Sequence, residues 1–462
     1  MLSKEIIEEV LLCASQTGGD FAQLFIENKR KNGIRLLDNK VDSNAFNLDC
    51  GAGLRITHGL DSYYGYTSDL TKEGLMKLAL DLRSSIDDEC KIKELKLKEI
   101  EYEMHHQAKV PFESVALKDK IALMKKASDS AFKYSNLIYK VIVNYLDETQ
   151  DVLICDTTGK YIKDHRNRTR IFVTSIAKDG DLMQDGYASK GTSEGFEFYD
   201  HINVEDIAKE ASRIASVMLY ADDCPSGIMP VVIDNGFGGV IFHEACGHAL
   251  EATAVAKNQS VFSDKFNQKI ANELVTAIDD ATIENAWGSA NIDDDGNFTK
   301  CNTLIKDGIL NSYLIDTHNA KRMNAKDTSS SRRQSYRYEP TSRMSNTFIA
   351  NGTSTFDEII QVTKYGLYAK NMGGGSVDPS TGEFNFAVME AYLIEDGKIT
   401  KPVKGASIIG NGSDTLKKID MVGNNLSRAQ GMCGSISGSI PTDVGEPTIR
   451  VMDMTVGGSR HE

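Results

Sequence analysis

The sequence predicts an α+β protein with two domains: a mixed α/β N-terminal domain over residues 1–225 and a mainly β C-terminal domain over residues 226–462. Strand and helix patterns alternate through the first half, whereas strands with glycine-rich connections dominate beyond about residue 300. Between them, a Pro-Ser-Gly turn follows a helix pattern near residue 225, as expected at a domain boundary. A chain of 462 residues is long enough for both domains to bury a core.

The N-terminal elements follow from the spacing of apolar residues. The first twenty residues have apolar side chains at helical spacing, and Gly18-Gly19 would end this helix. β-Branched and aromatic residues mark the predicted strands, and amphipathic periodicity marks the predicted helices. We therefore expect strands over 21–28, 51–58 and 137–148, helices over 69–86, 117–132 and 204–221, and a strand–turn–strand unit over 168–187.

The C-terminal domain is predicted to begin with a short buried strand, MPVVID (229–234), followed by a helix that Asp234 or Asn235 could cap. Asp396-Gly397 lies between two apolar segments and predicts a hairpin. Residues 373–375 and 431–439 are rich in glycine, and we expect both segments to be loops.

Charge and composition narrow the possible functions. The net charge of −14 makes direct nucleic-acid binding unexpected, because an acidic surface repels phosphate. The sequence contains no run of about eighteen apolar residues, so no membrane span is predicted. Glu8 and Glu9 interrupt the apolar segment near the start, so it does not have the unbroken apolar core of a secretory signal. The eight cysteines are scattered and form no CxxC pair, so we expect a cytoplasmic protein without disulfides.

The stretch HEACGH (243–248) carries the strongest chemical signal. Two histidines flank a glutamate, and a zinc hydrolase needs neutral imidazoles together with a carboxylate. The histidines are five residues apart, so they would diverge by about 140° on a straight α-helix. If His243 and His248 share a metal ion, the helix must end early or contain a π-bulge. Gly247 could ease such a distortion, because glycine accepts unusual backbone angles.

A third metal ligand must come from elsewhere in the chain. Cys433 is attractive because Gly431 and Gly434 flank it and would let the backbone pack close to an ion. It could equally be a small buried apolar residue, as most free cysteines are. Spacing alone does not choose among distant ligands. The candidates are therefore a carboxylate, Cys433, Cys301, His318 and His461.

Other motifs have simpler interpretations. Both histidines of HEACGH could be structural, and Cys246 could be a nucleophile, although it and His248 point to different sides of a helix. Residues 291–302 resemble a calcium-binding loop but lack the closing glutamate, which predicts a turn. The basic and aromatic segment SSSRRQSYRY (329–338) is predicted to be a mobile loop near the active site.

The sequence resembles the TldD branch of the TldD/PmbA family over nearly its whole length. RITHGLDSYYGYTSDL (55–70) is similar to the family's N-terminal domain. HExxxH and a late cysteine between glycines are specific in combination, although each alone is a weak signal. The C-terminal similarity lies in GGVIFHEACGHALEA (238–252), RMSNTFIANG (343–352), residues 373–412 and residues 431–458. The family was long labelled "modulator of DNA gyrase" and is understood as metalloproteases.

The resemblance implies a two-domain α+β protomer in which His243, His248 and Cys433 hold Zn²⁺ and Glu244 is the general base. It also implies a dimer, formed either with a PmbA-like subunit that lacks HExxxH or with a second copy of the chain. The substrates implied are peptides or unfolded protein segments, including leader peptides of modified bacteriocins. They would be bound as an extended strand in an enclosed cavity.

The predicted function is that of a zinc-dependent peptidase. Glu244 would take a proton from the attacking water and pass it to the leaving amine. The alternative is a non-enzymatic peptide-binding or regulatory subunit, which the gyrase label suggests.

Overall fold

The structure is a computed structural model that describes residues 2–378 and 381–458. It mixes helices and strands and confirms the α+β class. Within the described residues, the N-terminal half builds one seven-stranded sheet. The C-terminal half builds an eight-stranded sheet, a six-stranded sheet and a two-stranded ribbon. No helix in these two ranges is long and apolar enough to cross a membrane.

Seven strands form the N-terminal sheet: β1 (Phe21–Leu37), β2 (Lys40–His58), β3 (Asp61–Thr67), β4 (Lys98–Glu99), β5 (Ile138–Asp156), β6 (Lys160–Asp179) and β7 (Leu182–Thr192). Their order is β3–β2–β1–β5–β6–β4, and β7 also pairs with β6. All pairs are antiparallel except β4 with β6.

Helices cover one face of this sheet, and the C-terminal half covers the other. Leu24 and Leu36 of β1 point into the cores beneath the helices, whereas Phe25 points the opposite way and packs with Ile292 and Tyr336. This alternation is the two-residue period of a strand buried on both faces. The helices are α1 (Lys4–Ser15), α2 (Lys72–Arg83), α3 (Leu117–Tyr134), α4 (Phe198–His201) and α5 (Val204–Leu219), with a 3₁₀ turn at Phe112–Ser114.

The C-terminal half consists mainly of strands: β8 (Asp222–Asp223), β9 (Gly227–Ile233), β10 (Ala277–Asp280), β11 (Cys301–Lys306), β12 (Ile309–Leu310), β13 (Ser331–Arg332), β14 (Thr341–Ser342), β15 (Asn346–Ile349), β16 (Tyr365–Val377), β17 (Glu383–Glu395), β18 (Lys398–Lys404), β19 (Ser407–Asn411), β20 (Ile419–Val422), β21 (Ser427–Ser435), β22 (Gly438–Glu446) and β23 (Ile449–Gly457). Its α-helices are short: α6 (Val240–Phe242), α7 (Ala252–Val255), α8 (Thr317–Met323), α9 (Phe356–Val362) and α10 (Gly412–Lys418).

Two sheets enclose the helical segment that carries HEACGH. The larger sheet has the order β16–β9–β23–β19–β17–β18–β8, with β20 beside β23 and a further pairing of β16 with β17. The smaller sheet has the order β12–β11–β10–β15–β22–β21, and β13 pairs with β14 in the ribbon. Ile233 of β9, Val444 of β22 and Phe242 of α6 belong to one buried core. Strand β21 therefore lies at a sheet edge next to this core.

The predicted N-terminal strands and helices are confirmed, but several strands are longer than expected. Strand β1 extends to Leu37 and β5 to Asp156, since both continue as a paired ladder beyond their apolar segments. The Asp396-Gly397 hairpin is confirmed between β17 and β18. Residues 291–302 contain the predicted turn, in which the Gly296 amide donates to the carbonyl of Asp293 at 3.0 Å.

Three local predictions are wrong. The glycines at 373–375 and all three glycines at 431–439 lie in strands rather than loops. At Gly375 the reason is packing, because a Cβ there would come within 2.2 Å of the Phe386 ring. Neither Asp234 nor Asn235 caps the next helical turn; their side chains instead bond to Tyr368 and to the Asn425 carbonyl.

The segment 329–338 is also not the mobile loop that its composition suggested. Ser331, Arg333 and Tyr336 are almost fully buried between the two halves. The Arg333 guanidinium donates to the Asp294 carbonyl at 2.9 Å, and the Tyr336 amide donates to Glu27 at 2.7 Å. Hydrogen bonds to both halves hold this segment in place.

We predict that the buried ion pair between the two halves contributes strongly to stability. Arg55 Nη2 lies 2.5 Å from Asp295 Oδ1, and both side chains are buried. Arg55→Met should lower the free energy of unfolding by about 3–5 kcal/mol, because it leaves a buried carboxylate without its cation. Urea unfolding followed by circular dichroism measures this effect.

The matched control is Arg35→Met, which removes an exposed ion pair with Asp42. It should cost about 1 kcal/mol or less. Equal losses in the two variants would contradict a special role for Arg55.

Candidate metal centre

The helical segment that carries HEACGH is irregular at the motif. A single α-helical turn, Val240–Phe242, leads into a five-residue π-helix, His243–Gly247, and then into a 3₁₀ turn, His248–Leu250. The wider π-turn turns the two imidazoles toward one side, where their ring centroids lie 5.1 Å apart. If both histidines bind one ion, their five-residue spacing requires an irregular helix, and the helix is irregular here.

Gly247 is required here for a different reason from the one predicted. Its backbone angles, φ −54° and ψ −52°, are ordinary right-handed helical values that any residue adopts. A Cβ at this position would instead lie 2.2 Å from Met344 Sδ. Gly247 thus makes room for Met344 beneath the π-turn. The glycines near Cys433 differ from each other: nothing lies within 4 Å of a Cβ built on Gly434, whereas one built on Gly431 would lie 3.2 Å from the Thr442 carbonyl oxygen.

Cys433 lies between the two imidazoles. Its Sγ is 3.1 Å from His243 Nε2 and 3.2 Å from His248 Nε2. Cys433 and His243 are both 3% exposed, so the cluster is shielded from solvent on most sides. One thiol and two imidazole nitrogens, all within 4.8 Å of one another, form a group that could hold a metal ion.

A carboxylate and an arginine hold two of these residues in position. Glu251 Oε1 lies 3.1 Å from His248 Nδ1, so the other ring nitrogen, Nε2, faces Cys433. The fully buried Arg343 donates from Nη2 to the Cys433 carbonyl at 2.5 Å, and its Nε lies 3.6 Å from Glu251. Arg343 thereby connects the π-helical side of the cluster to strand β21.

The cluster favours a thiolate in the metal-free protein. Burial alone would raise the pKa of Cys433, but the charges and hydrogen bonds of His243 and His248 lower it to about 3. Burial would likewise lower the pKa of His248, but Glu251 and the thiolate raise it well above its ordinary value. A metal ion would bind the thiolate directly and would displace the proton from His248.

Glu244 lies beside the cluster at its more open side. Its Oε2 is 3.8 Å from His248 Nε2, and its side chain is 24% exposed. Water can therefore reach this carboxylate next to the three donor atoms, which suits proton transfer.

The other candidate ligands lie elsewhere. Cys301 is exposed on β11, and His318 lies on α8, where it is near Arg55. His461 lies outside the described residues. Cys246 is fully buried among apolar side chains, and burial raises its pKa, so it lacks the features of an activated nucleophile.

Sequence reasoning missed Glu251 and Arg343. A signal for Glu251 existed, because a residue three positions after His248 lies on the same side of a helical turn. Arg343 gave no comparable signal, since it reaches Cys433 only through the tertiary fold.

Comparisons with known proteins agree with this fold. Family models match as PmbA/TldA metallopeptidase domain 1 (residues 22–86), central domain (110–219) and C-terminal domain (226–458). A metalloprotease TldD homolog of Haemophilus influenzae is 34% identical over 467 residues, covering 99% of this chain and 97% of the relative. A zinc metalloprotease TldD homolog of Saccharolobus solfataricus is 26% identical over 317 residues, covering 68% and 71%.

Among solved structures, a candidate modulator of a DNA gyrase from Thermotoga maritima has the same fold. Its TM-score is 0.80 at 21% identity, with 98% of this chain and 99% of that chain covered. The matching family models and named relatives are those of metallopeptidases. The chain belongs to the PmbA/TldD metallopeptidase family.

We predict that Gly247→Ala disrupts the centre, even though alanine is the better helix former. The new methyl group would collide with Met344, at a cost of about 1–3 kcal/mol in unfolding free energy. Adding Met344→Ala to this variant should recover part of the lost unfolding free energy. Urea unfolding and the metal content of the purified protein measure the effect.

Gly434→Ala is the control, because its Cβ meets open space beside another residue of the cluster. If Gly247→Ala retains wild-type stability and metal content, the packing role assigned to Gly247 is wrong.

Proposed function

We propose that this protein is a zinc-dependent peptidase that hydrolyses extended or unfolded peptides. The observation that carries the proposal is the convergence of Cys433 Sγ on the Nε2 atoms of His243 and His248, at 3.1 and 3.2 Å. The relative named as a zinc metalloprotease supports zinc as the metal.

The donor atoms suit a tetrahedral zinc ion. With ordinary zinc–sulfur and zinc–nitrogen bond lengths, the sulfur and each nitrogen would be about 3.6 Å apart. The present spacing is about half an ångström shorter, so the side chains need only a small outward shift. Three protein ligands leave the fourth position for water or substrate, as in catalytic zinc sites.

Each residue then has a distinct role. His243, His248 and Cys433 hold zinc, which when bound would activate water and polarise the scissile carbonyl. Glu244 accepts the proton of the attacking water and returns it to the leaving amine. Glu251 keeps the Nε2 lone pair of His248 directed at the metal.

Strand β21 is the proposed docking edge for the peptide. Among the described residues it pairs with β22 alone, and it carries Cys433, so an added strand would run past the metal centre. A groove of about 860 Å³ lies beside it, lined by residues of β7, α5, β16 and β21. Backbone pairing at such an edge binds extended peptides with little dependence on side-chain sequence.

The expected setting is a dimer in a reducing compartment. All eight cysteines are free, which fits the cytoplasm. The partner is proposed to be either a PmbA-like subunit or a second copy of this chain.

Metal removal is the decisive experiment for the proposed function. A strong chelator should abolish cleavage of reduced, unfolded casein, and one equivalent of Zn²⁺ should restore it. The control is magnesium at the same concentration, which prefers oxygen ligands and should restore nothing. Cleavage that persists in zinc-free protein would refute the proposal. A preparation that binds casein but never cleaves it would favour the non-enzymatic alternative.

Three variants separate the roles of the cluster residues. Glu244→Gln should retain zinc and lose at least about 10²-fold in cleavage rate, because the base is missing. Cys433→Ser should lose zinc, whereas Cys246→Ser should retain both zinc and activity. Metal analysis and casein cleavage measure these outcomes. A Glu244→Gln enzyme with a wild-type rate, or loss of metal in Cys246→Ser alone, would contradict the assignment.

A further inference from the structure

A basic cavity lies next to the metal centre, at the junction of the two halves of the chain. Its volume is about 390 Å³, and its walls come from the N-terminal sheet, residues 288–294, residues 329–335 and the β21–β22 hairpin. Met432 and Ile440 line the cavity. Met432 directly precedes Cys433, and Ile440 pairs with Cys433 across the hairpin. The cavity therefore adjoins the strand that carries Cys433.

Three arginines on the wall of the cavity, Arg168, Arg332 and Arg333, form no ion pair with a carboxylate among the described residues. Arg168 donates from Nε to the Trp287 carbonyl at 3.1 Å and from Nη2 to the Ser289 carbonyl at 3.3 Å. Arg332 donates from Nη1 to the Met344 carbonyl at 2.6 Å. Carbonyl groups satisfy these donors but do not neutralise their charge.

The neighbouring Arg166 provides the contrast. It lies 2.8 Å from Asp164 and 2.8 Å from Asp294, so its charge is balanced inside the protein. If the arginines on the cavity wall served only to join the two halves, each would be expected to have a carboxylate partner. Among the described residues, Arg333 shares this lack of an ion pair, but it donates to Gln23 and to the Asp294 carbonyl. Arg168 and Arg332 instead donate to the carbonyls of Trp287, Ser289 and Met344.

The electrostatic surroundings make this excess positive charge costly. Burial and the charge of Arg168 lower the pKa of Arg332 to about 9, against the opposing effects of Asp294 and Asp279. Asp279 accepts hydrogen bonds from Ser345 and Thr347 and forms no ion pair with Arg332 among the described residues. An anion entering the cavity would relieve this cost. The chain as a whole has a net charge of −14 and does not otherwise attract anions.

Both arginines are linked to the catalytic region through short contacts. Met344, whose carbonyl accepts from Arg332, packs against Gly247 in the π-turn. Trp287, whose carbonyl accepts from Arg168, donates from its indole to the Gly431 carbonyl on β21 at 2.8 Å. A ligand held by these arginines would lie close to a peptide bound along β21.

We propose that Arg168 and Arg332 form a subsite for a carboxylate of the peptide substrate, either its C-terminal group or an aspartate or glutamate side chain. This inference rests on the peptidase function proposed above. A guanidinium binds a carboxylate through two parallel hydrogen bonds, which gives the subsite directional specificity. The subsite would fix the position of the peptide relative to the metal, a specificity that backbone pairing alone does not supply.

Calorimetric titration of zinc-loaded Glu244→Gln protein tests the subsite without turnover. Three N-acetylated decapeptides of glycine, serine, alanine and leucine serve as probes: one with a free C-terminal carboxylate, one C-terminally amidated, and one amidated with a single internal aspartate. At least one carboxylate peptide should bind about tenfold more tightly than the neutral amide. The peptide that gains affinity identifies the source of the carboxylate.

Arg168→Gln and Arg332→Gln should each remove most of this preference, whereas Arg35→Gln, which alters an exposed ion pair, should leave it unchanged. If Arg332→Gln fails to fold, Arg332→Lys should keep part of the preference and Arg168→Gln should remove it. Equal binding of all three peptides, binding of none, or a preference that survives in the Arg168 and Arg332 variants would overturn the proposal. Failure of the wild-type protein to cleave any peptide would instead refute the peptidase function.

Discussion

The π-helical turn at His243–Gly247 is the constraint on which the metal centre depends. In an ordinary α-helix the two imidazoles would diverge by about 140° and could not reach one sulfur atom. A π-turn is less favourable than an α-turn and persists only where packing holds it. Here Phe242, Cys246 and Leu250 are buried in the C-terminal core, and Met344 fills the space that Gly247 leaves open. The core therefore stabilises the backbone geometry that the site requires.

The cluster is held together by direct contacts between its members and by residues around it. The Cys433 thiolate and the imidazoles contact one another directly. Glu251 contacts His248, and Arg343 donates to the Cys433 carbonyl. Two unrelated parts of the chain, the π-turn and an edge strand, are thus joined by polar contacts inside an apolar core. These contacts fix the relative positions of the three donor atoms.

How much of this the sequence could predict depends on the range of the interactions. The alternating strands and amphipathic helices of the N-terminal half were predictable because their periodicity is local. The need for an irregular helix followed from the spacing of His243 and His248 alone. The choice of Cys433 could not follow from spacing, because it depends on how β21 packs against the π-turn. The reason for Gly247 and the burial of residues 329–338 likewise lie in tertiary contacts that composition does not reveal.

The N-terminal half contributes a charged side chain to the cavity beside the cluster. The three clustered donors and Glu244 come from the C-terminal half, but Arg168, on strand β6, supplies positive charge to the adjoining cavity. The segment 329–338 brings Arg332 to the same wall and packs against the face of the sheet opposite the helices. Substitutions in the N-terminal half could thus change which peptides bind without altering any metal ligand. In the proposed arrangement, the C-terminal half supplies the hydrolytic residues, and both halves contribute an arginine to the peptide subsite.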